Sequence, residues 1–109
     1  MVQHTLFLNS SYAVKLGENG IETLLPADAQ GNITALTGDV LVFKDSYSRN
    51  ICVTDIMFKT QETPLMITFN DIDQYTYVVP AGSQQGISGL PIYKFKLLND
   101  CSFSYDALA

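Results

Sequence analysis

Residues 93–106 read Tyr93-Lys94-Phe95-Lys96-Leu97-Leu98-Asn99-Asp100-Cys101-Ser102-Phe103-Ser104-Tyr105-Asp106. Tyr93, Phe95 and Leu97 alternate with Lys94 and Lys96, and Cys101, Phe103 and Tyr105 alternate with Ser102, Ser104 and Asp106. Side chains in a strand point to opposite faces with period two, so each run has one dry side and one wet side. Asn99-Asp100 between them supplies turn chemistry, and the stretch predicts two antiparallel strands joined as a hairpin.

The rest of the chain repeats the pattern. Short runs rich in Val, Ile, Thr, Phe and Tyr are cut by Gly, Asn, Asp and Pro, and no helical stripe lasts three turns. Strands are expected at 5–9, 12–16, 21–25, 39–44, 51–59, 65–70, 75–79, 92–97 and 102–105, with a short pairing near 86–88. Glu18-Asn19-Gly20 predicts a type I′ hairpin turn, because Asn and Gly tolerate positive φ. Val79-Pro80-Ala81-Gly82 has the residue order of a type I turn. The stretch 28–38 reads as a long loop. The expected fold is all-β: a single domain, an antiparallel β-sandwich of jelly-roll or related Greek-key topology.

The stretch 51–59 departs from simple alternation. Strict period two puts Ile51, Val53 and Met57 on one face and Cys52, Ile56 and Phe58 on the other. Apart from Thr54 and Asp55 both faces are apolar. Such a strand is covered either on both sides by its own fold or in part by another subunit; in a domain this small it hints at a second subunit.

The 109 residues suit one domain. Charged residues reach only 16 %, against about 25 % in average soluble domains. Six basic and eleven acidic side chains give a net charge of −5, which offers no footprint for a phosphate backbone; no nucleic-acid partner is expected. The N-terminus lacks a basic start and a sustained apolar run, so neither a signal peptide nor a membrane partner is expected. Cys52 and Cys101 read as buried thiols acting as small hydrophobes, with a disulfide the lesser alternative. The glycosylation-like triplets at Asn9 and Asn32 read as chance matches without a secretion signal.

Catalytic and metal chemistry finds few candidates. His4 is the single histidine, too few for a His-based metal site. Asp71 and Asp73 lie in Asn70-Asp71-Ile72-Asp73, a turn in preference to a Ca²⁺ loop, because the glycine and distal Glu of an EF-hand are missing. Gly82, Gly86 and Gly89 precede a strand-like run instead of a helix and form no phosphate loop. No metal, no cofactor and no enzymatic activity are expected. The six Tyr and six Phe, with no Trp, serve first as core. Tyr75 and Tyr77 alternate on one expected strand face, where a protein contact or, as the alternative, a sugar-stacking platform would use them.

From Pro64 onward, the order Pro64-Leu65-Met66-Ile67-Thr68-Phe69-Asn70, Tyr77-Val78-Val79-Pro80-Ala81-Gly82, Ile87-Ser88-Gly89-Leu90-Pro91-Ile92 and Lys96–Tyr105 resembles the closing half of small β-sandwich virion proteins of tailed bacteriophages. The resemblance implies a non-catalytic virion component of the capsid, neck or tail, made in the host cytoplasm. Its partners would be copies of itself, as a homo-oligomer, and other virion proteins. Phe7, Tyr12, Tyr47, Arg49, Tyr75 and Tyr77 are the contact candidates, because Tyr and Arg bury large area while keeping hydrogen-bonding tips. A carbohydrate-binding or receptor-recognition module is the alternative function.

Overall fold

The computed structural model describes residues 6–109; His4 and the start of the first expected strand lie outside them. Eleven strands form: β1 (Phe7–Asn9), β2 (Val14–Leu16), β3 (Glu22–Leu24), β4 (Ile33–Ala35), β5 (Val40–Val42), β6 (Val53–Thr60), β7 (Leu65–Phe69), β8 (Tyr77–Val79), β9 (Gln84–Ile92), β10 (Lys94–Leu97) and β11 (Cys101–Leu108). One sheet runs β1-β11-β6-β9, with β4 also on β11; the other runs β3-β2-β5-β10-β7-β8.

Strands β4–β11, β5–β10, β6–β9 and β7–β8 pair antiparallel, each pair nested inside the one before. That nesting is a jelly roll. Strands β2 and β3 widen the second sheet beyond β5, and β1 continues along β11 past the end of β4.

The quoted C-terminal stretch is not a hairpin. β10 and β11 belong to different sheets, so Phe95 meets Phe103 and Tyr105 across the core, at ring-centroid distances of 6.1 and 5.9 Å. The alternation that marks both as strands is real, but two apolar faces satisfy each other as well across a sandwich as along a ladder. Asn99 and Asp100 hold the corner instead. The Asn99 Nδ2 donates to the Pro64 carbonyl at 2.8 Å and its Oδ1 accepts from the Met66 amide at 3.1 Å. Asp100 Oδ1 accepts from the Thr37 amide and hydroxyl at 2.8 and 2.9 Å.

Within the expected loop 28–38 lies β4, whose Ile33 and Ala35 are buried. Its strand character comes from pairing with β11, 68 residues away at Thr34 and Ser102, which no local pattern records. The pairing near 86–88 extends to the whole of β9. Tyr93 lies at a bend before β10, its hydroxyl donating to Asp71 Oδ2 at 2.8 Å instead of joining Phe95 inside. At Asn19 and Gly20 φ is 61° and 76°, the positive pair of a type I′ turn between β2 and β3.

The segment 51–59 is not apolar on both faces. Register breaks between Val53 and Asp55: Val53 pairs with Ile92 and Asp55 with Ser88, so 89–91 of β9 stand opposite Thr54 alone. Across this bulge the inward parity changes, and Val53, Ile56, Phe58 and Thr60 all become buried. Ile51 packs against the same core, while Met57 points outward, 41 % exposed. Cys52 is exposed and Cys101 buried, both as free thiols, so only one of them behaves as a core hydrophobe. Phe58 is the hub: its ring meets Phe69, Tyr77, Phe95, Phe103 and Tyr105 at centroid distances between 5.5 and 6.4 Å.

Candidate functional site

Jelly-roll nesting sends the β5–β6 loop (43–52) and the β7–β8 loop (70–76) to one end of the sandwich. A groove of about 410 Å³ opens there between β1 of one sheet and β2, β3 and β5 of the other. Its apolar wall comes from Phe7, Tyr12, Val14, Leu24, Val42 and Phe43, and Asp45, Ser46 and Ser48 supply its rim. Tyr105 lies at 4 % exposure among the lining residues, and burial pushes its phenol well above the ordinary value.

The rim is a constructed tip. The amides of Tyr47 and Arg49 donate to Asp45 Oδ1 at 2.8 and 2.9 Å, and Arg49 Nε donates to Oδ2 at 2.8 Å. The Arg49 amide, with the Tyr47 amide and the guanidinium behind it, outweighs the cost of desolvation and holds the Asp45 carboxyl below its ordinary range. Ser48 takes φ of 61° to let the loop close. With its base fixed, the loop stacks the Arg49 guanidinium over the Tyr47 ring at 5.1 Å while Tyr47 stays 78 % exposed.

Of the six contact candidates, Phe7 and Tyr12 line the groove, and Tyr47 and Arg49 stand on the loop at its rim. Tyr75 is exposed in the separate β7–β8 loop. Tyr77 is turned inward: its ring lies 5.4 Å from Phe69 and 6.2 Å from Phe58. Register explains this, since Tyr77 pairs with Ile67 on the core face of β7. Tyr75, two residues earlier, precedes β8 and shares no strand face with it. The paired platform expected from their spacing is therefore not formed.

The other candidate chemistries take structural roles. Asp71 accepts from the Tyr93 hydroxyl and pairs with Lys94 Nζ at 2.5 Å; Lys94 above all lowers its carboxyl. Asn70, at φ 55°, accepts from the Tyr93 amide and donates to the Pro91 carbonyl, locking the corner between β7 and β10. Burial raises the Cys101 thiol, the direction opposite to activation. Among the described residues no three His, Cys, Asp or Glu side chains gather closely enough for a metal ion, and no helix is long and apolar enough to cross a membrane.

Two residues beside the site went unread in the sequence. Ser10, 2 % exposed, donates to the Gly31 carbonyl and accepts from the Tyr105 amide at 3.1 Å, tying the turn after β1 to β11. A buried Ser gives no local signal. Asp45 did: Asp-Ser-Tyr-Ser-Arg is the pattern of an aspartate capping its own loop.

No family model matches the chain, and no curated protein matches it. Among solved structures it is similar to a cupin superfamily protein from Desulfitobacterium hafniense DCB-2. The TM-score is 0.38 at 11 % identity, covering 99 % of this chain and 82 % of that chain.

Proposed function

We propose that this chain is a non-catalytic virion structural protein of the tailed-phage type, which assembles through contacts with copies of itself and with other virion proteins. The observation that carries the reading is the outward display of large apolar side chains around one groove. Phe7, Tyr12 and Leu24 are 59 %, 73 % and 71 % exposed there, beside Tyr47 at 78 %. An isolated domain gains nothing from leaving such groups wet, whereas a repeatedly packed one buries them at its contacts. The resemblance of 64–106 to phage β-sandwich proteins supplies the virion context. The stretch 51–59 no longer contributes, since the bulge hides its second apolar face.

Mass in solution across a concentration series tests the reading, together with mass spectrometry of purified phage particles. Assembly that weakens in a Tyr12→Ser, Tyr47→Ser double variant, with the chain present in particles, is the expected result. A monomer at every concentration and no copy in particles would overturn it.

A further inference from the structure

The first sheet ends in an open strand edge at β9. Among the described residues, β9 pairs with β6 on one side and with no strand on the other. Thr60 N donates to the Ser83 carbonyl at 3.0 Å, so Ser83 directs its main chain at β6. Alternation then directs Gln85 and Ile87 the same way, and turns the amides and carbonyls of Gln84, Gly86 and Ser88 toward the open edge.

Proteins guard such edges with charge, proline or bulges. Here the guard is partial. The bulge at 89–91, with Pro91, closes the distal part, but 84–88 remains flat and bare. From Gln74 to Tyr93 there is no acidic or basic side chain, in a chain carrying −5 overall. The strand itself brings no charge to a second copy, and the nearest charges beside it are Asp55 and Lys59 of β6, one of each sign.

We infer that 84–88 of β9 pairs antiparallel with the same segment of a second copy about a two-fold axis near Gly86, joining two sheets edge to edge. The proposal rests on the self-assembly reading and names the surface it uses. In this register Gln84 faces Ser88 of the second copy, and Gly86 faces its counterpart. The axis makes every contact reciprocal. Five residues at about 3.4 Å each give an edge of roughly 17 Å. That is short of what a stable free dimer needs, so the pairing is weak in dilute solution and forms where copies are already concentrated.

Ser88 Oγ donates to Asp55, which puts a carboxylate beside the position that Gln84 of the second copy would meet. The sign of a charge placed at Gln84 therefore reads out the register. Self-association is measured by sedimentation and by amide shifts on dilution, for Gln84→Lys, Gln84→Glu, Gln85→Lys and Gln85→Glu. All four change an exposed side chain, and the Gln85 pair carries the same change in net charge on the opposite face. Expected are tighter association for Gln84→Lys, weaker for Gln84→Glu, little change for either Gln85 variant, and concentration-dependent shifts at the Gln84, Gly86 and Ser88 amides. Self-association that ignores the sign at Gln84, or treats both positions alike, overturns the edge pairing and leaves the self-assembly reading standing. A wild-type chain that stays monomeric at every concentration overturns the edge pairing, and absence from particles as well overturns the self-assembly reading.

Discussion

Asn99 shows how much one amide side chain does at a corner. It satisfies the Pro64 carbonyl and the Met66 amide from a position between two sheets, where the backbone has no ladder partner to offer. Asn99→Ala removes both bonds and is expected to cost about 1–2 kcal/mol, read from a urea midpoint at unchanged slope. Gly86 fails differently. A Cβ there would collide with the Ile56 carbonyl oxygen and crowd Met57, both atoms of the paired strand. Gly86→Ala is therefore expected to lose about 1–3 kcal/mol, the range for forcing extra atoms into packed structure. Gly20 stands in open space at φ 76°, so Gly20→Ala meets only the backbone penalty, about 1 kcal/mol by thermal melt. Comparing the two alanine variants separates collision from conformational strain.

Elements divide into those that local pattern reveals and those that only long-range pairing creates. The alternation in 93–106 marks two strands and their dry faces, and Phe95, Leu97, Cys101, Phe103 and Tyr105 are all buried. Which sheet each strand joins is decided by partners far along the chain, such as Phe95 on Leu41 and Phe103 on Ile33. Nothing local in 99–100 separates a hairpin from a crossover. β4 escaped because its strand character comes from β11, far along the chain, with only a single bridge from Ala27 to Ile33 nearby. In the candidate site the Tyr47 and Arg49 pair was legible as residue types, and their anchor Asp45 as a loop motif. The inward turn of Tyr77 depends on register with Ile67, and no spacing rule supplies register. The bulge at 53–55 is the sharpest case: counting by twos across it assigns Val53 to the wrong face. At this scale Phe58 is the decisive test, since five aromatic rings converge on it from both sheets. Phe58→Ala is expected to cost about 3–5 kcal/mol by chemical denaturation, a large part of the stability of a domain this size.

For the molecule as a whole, the carboxylates set the response to acid. Asp28, Asp45, Asp71 and Asp100 are all held below the ordinary 3.8, chiefly by the Asn32 amide, the Arg49 amide, Lys94 and the Thr37 amide respectively. A depressed folded value means the ionised form is favoured in the native state. The stabilisation is fully present above the unfolded value and is lost as pH falls through the folded values. Unfolding free energy is therefore expected to decline as pH drops below about 4. Asp100→Asn should flatten that decline, as followed by denaturant midpoints at stepped pH, because it deletes one of the four linked protons.

β11 lies inside the first sheet, with β6 on one side and both β1 and β4 on the other, although it is the last of the described strands in chain order. Thr34 waits for Ser102, 68 residues later, before its hydroxyl finds a partner. β1 and β4 thus have no strand to pair with until 101–108 is present, whereas β2, β3 and β5 pair among themselves in the other sheet. Closure of this sheet therefore depends on contacts between distant parts of the chain, the kind of topology that folds slowly for its length.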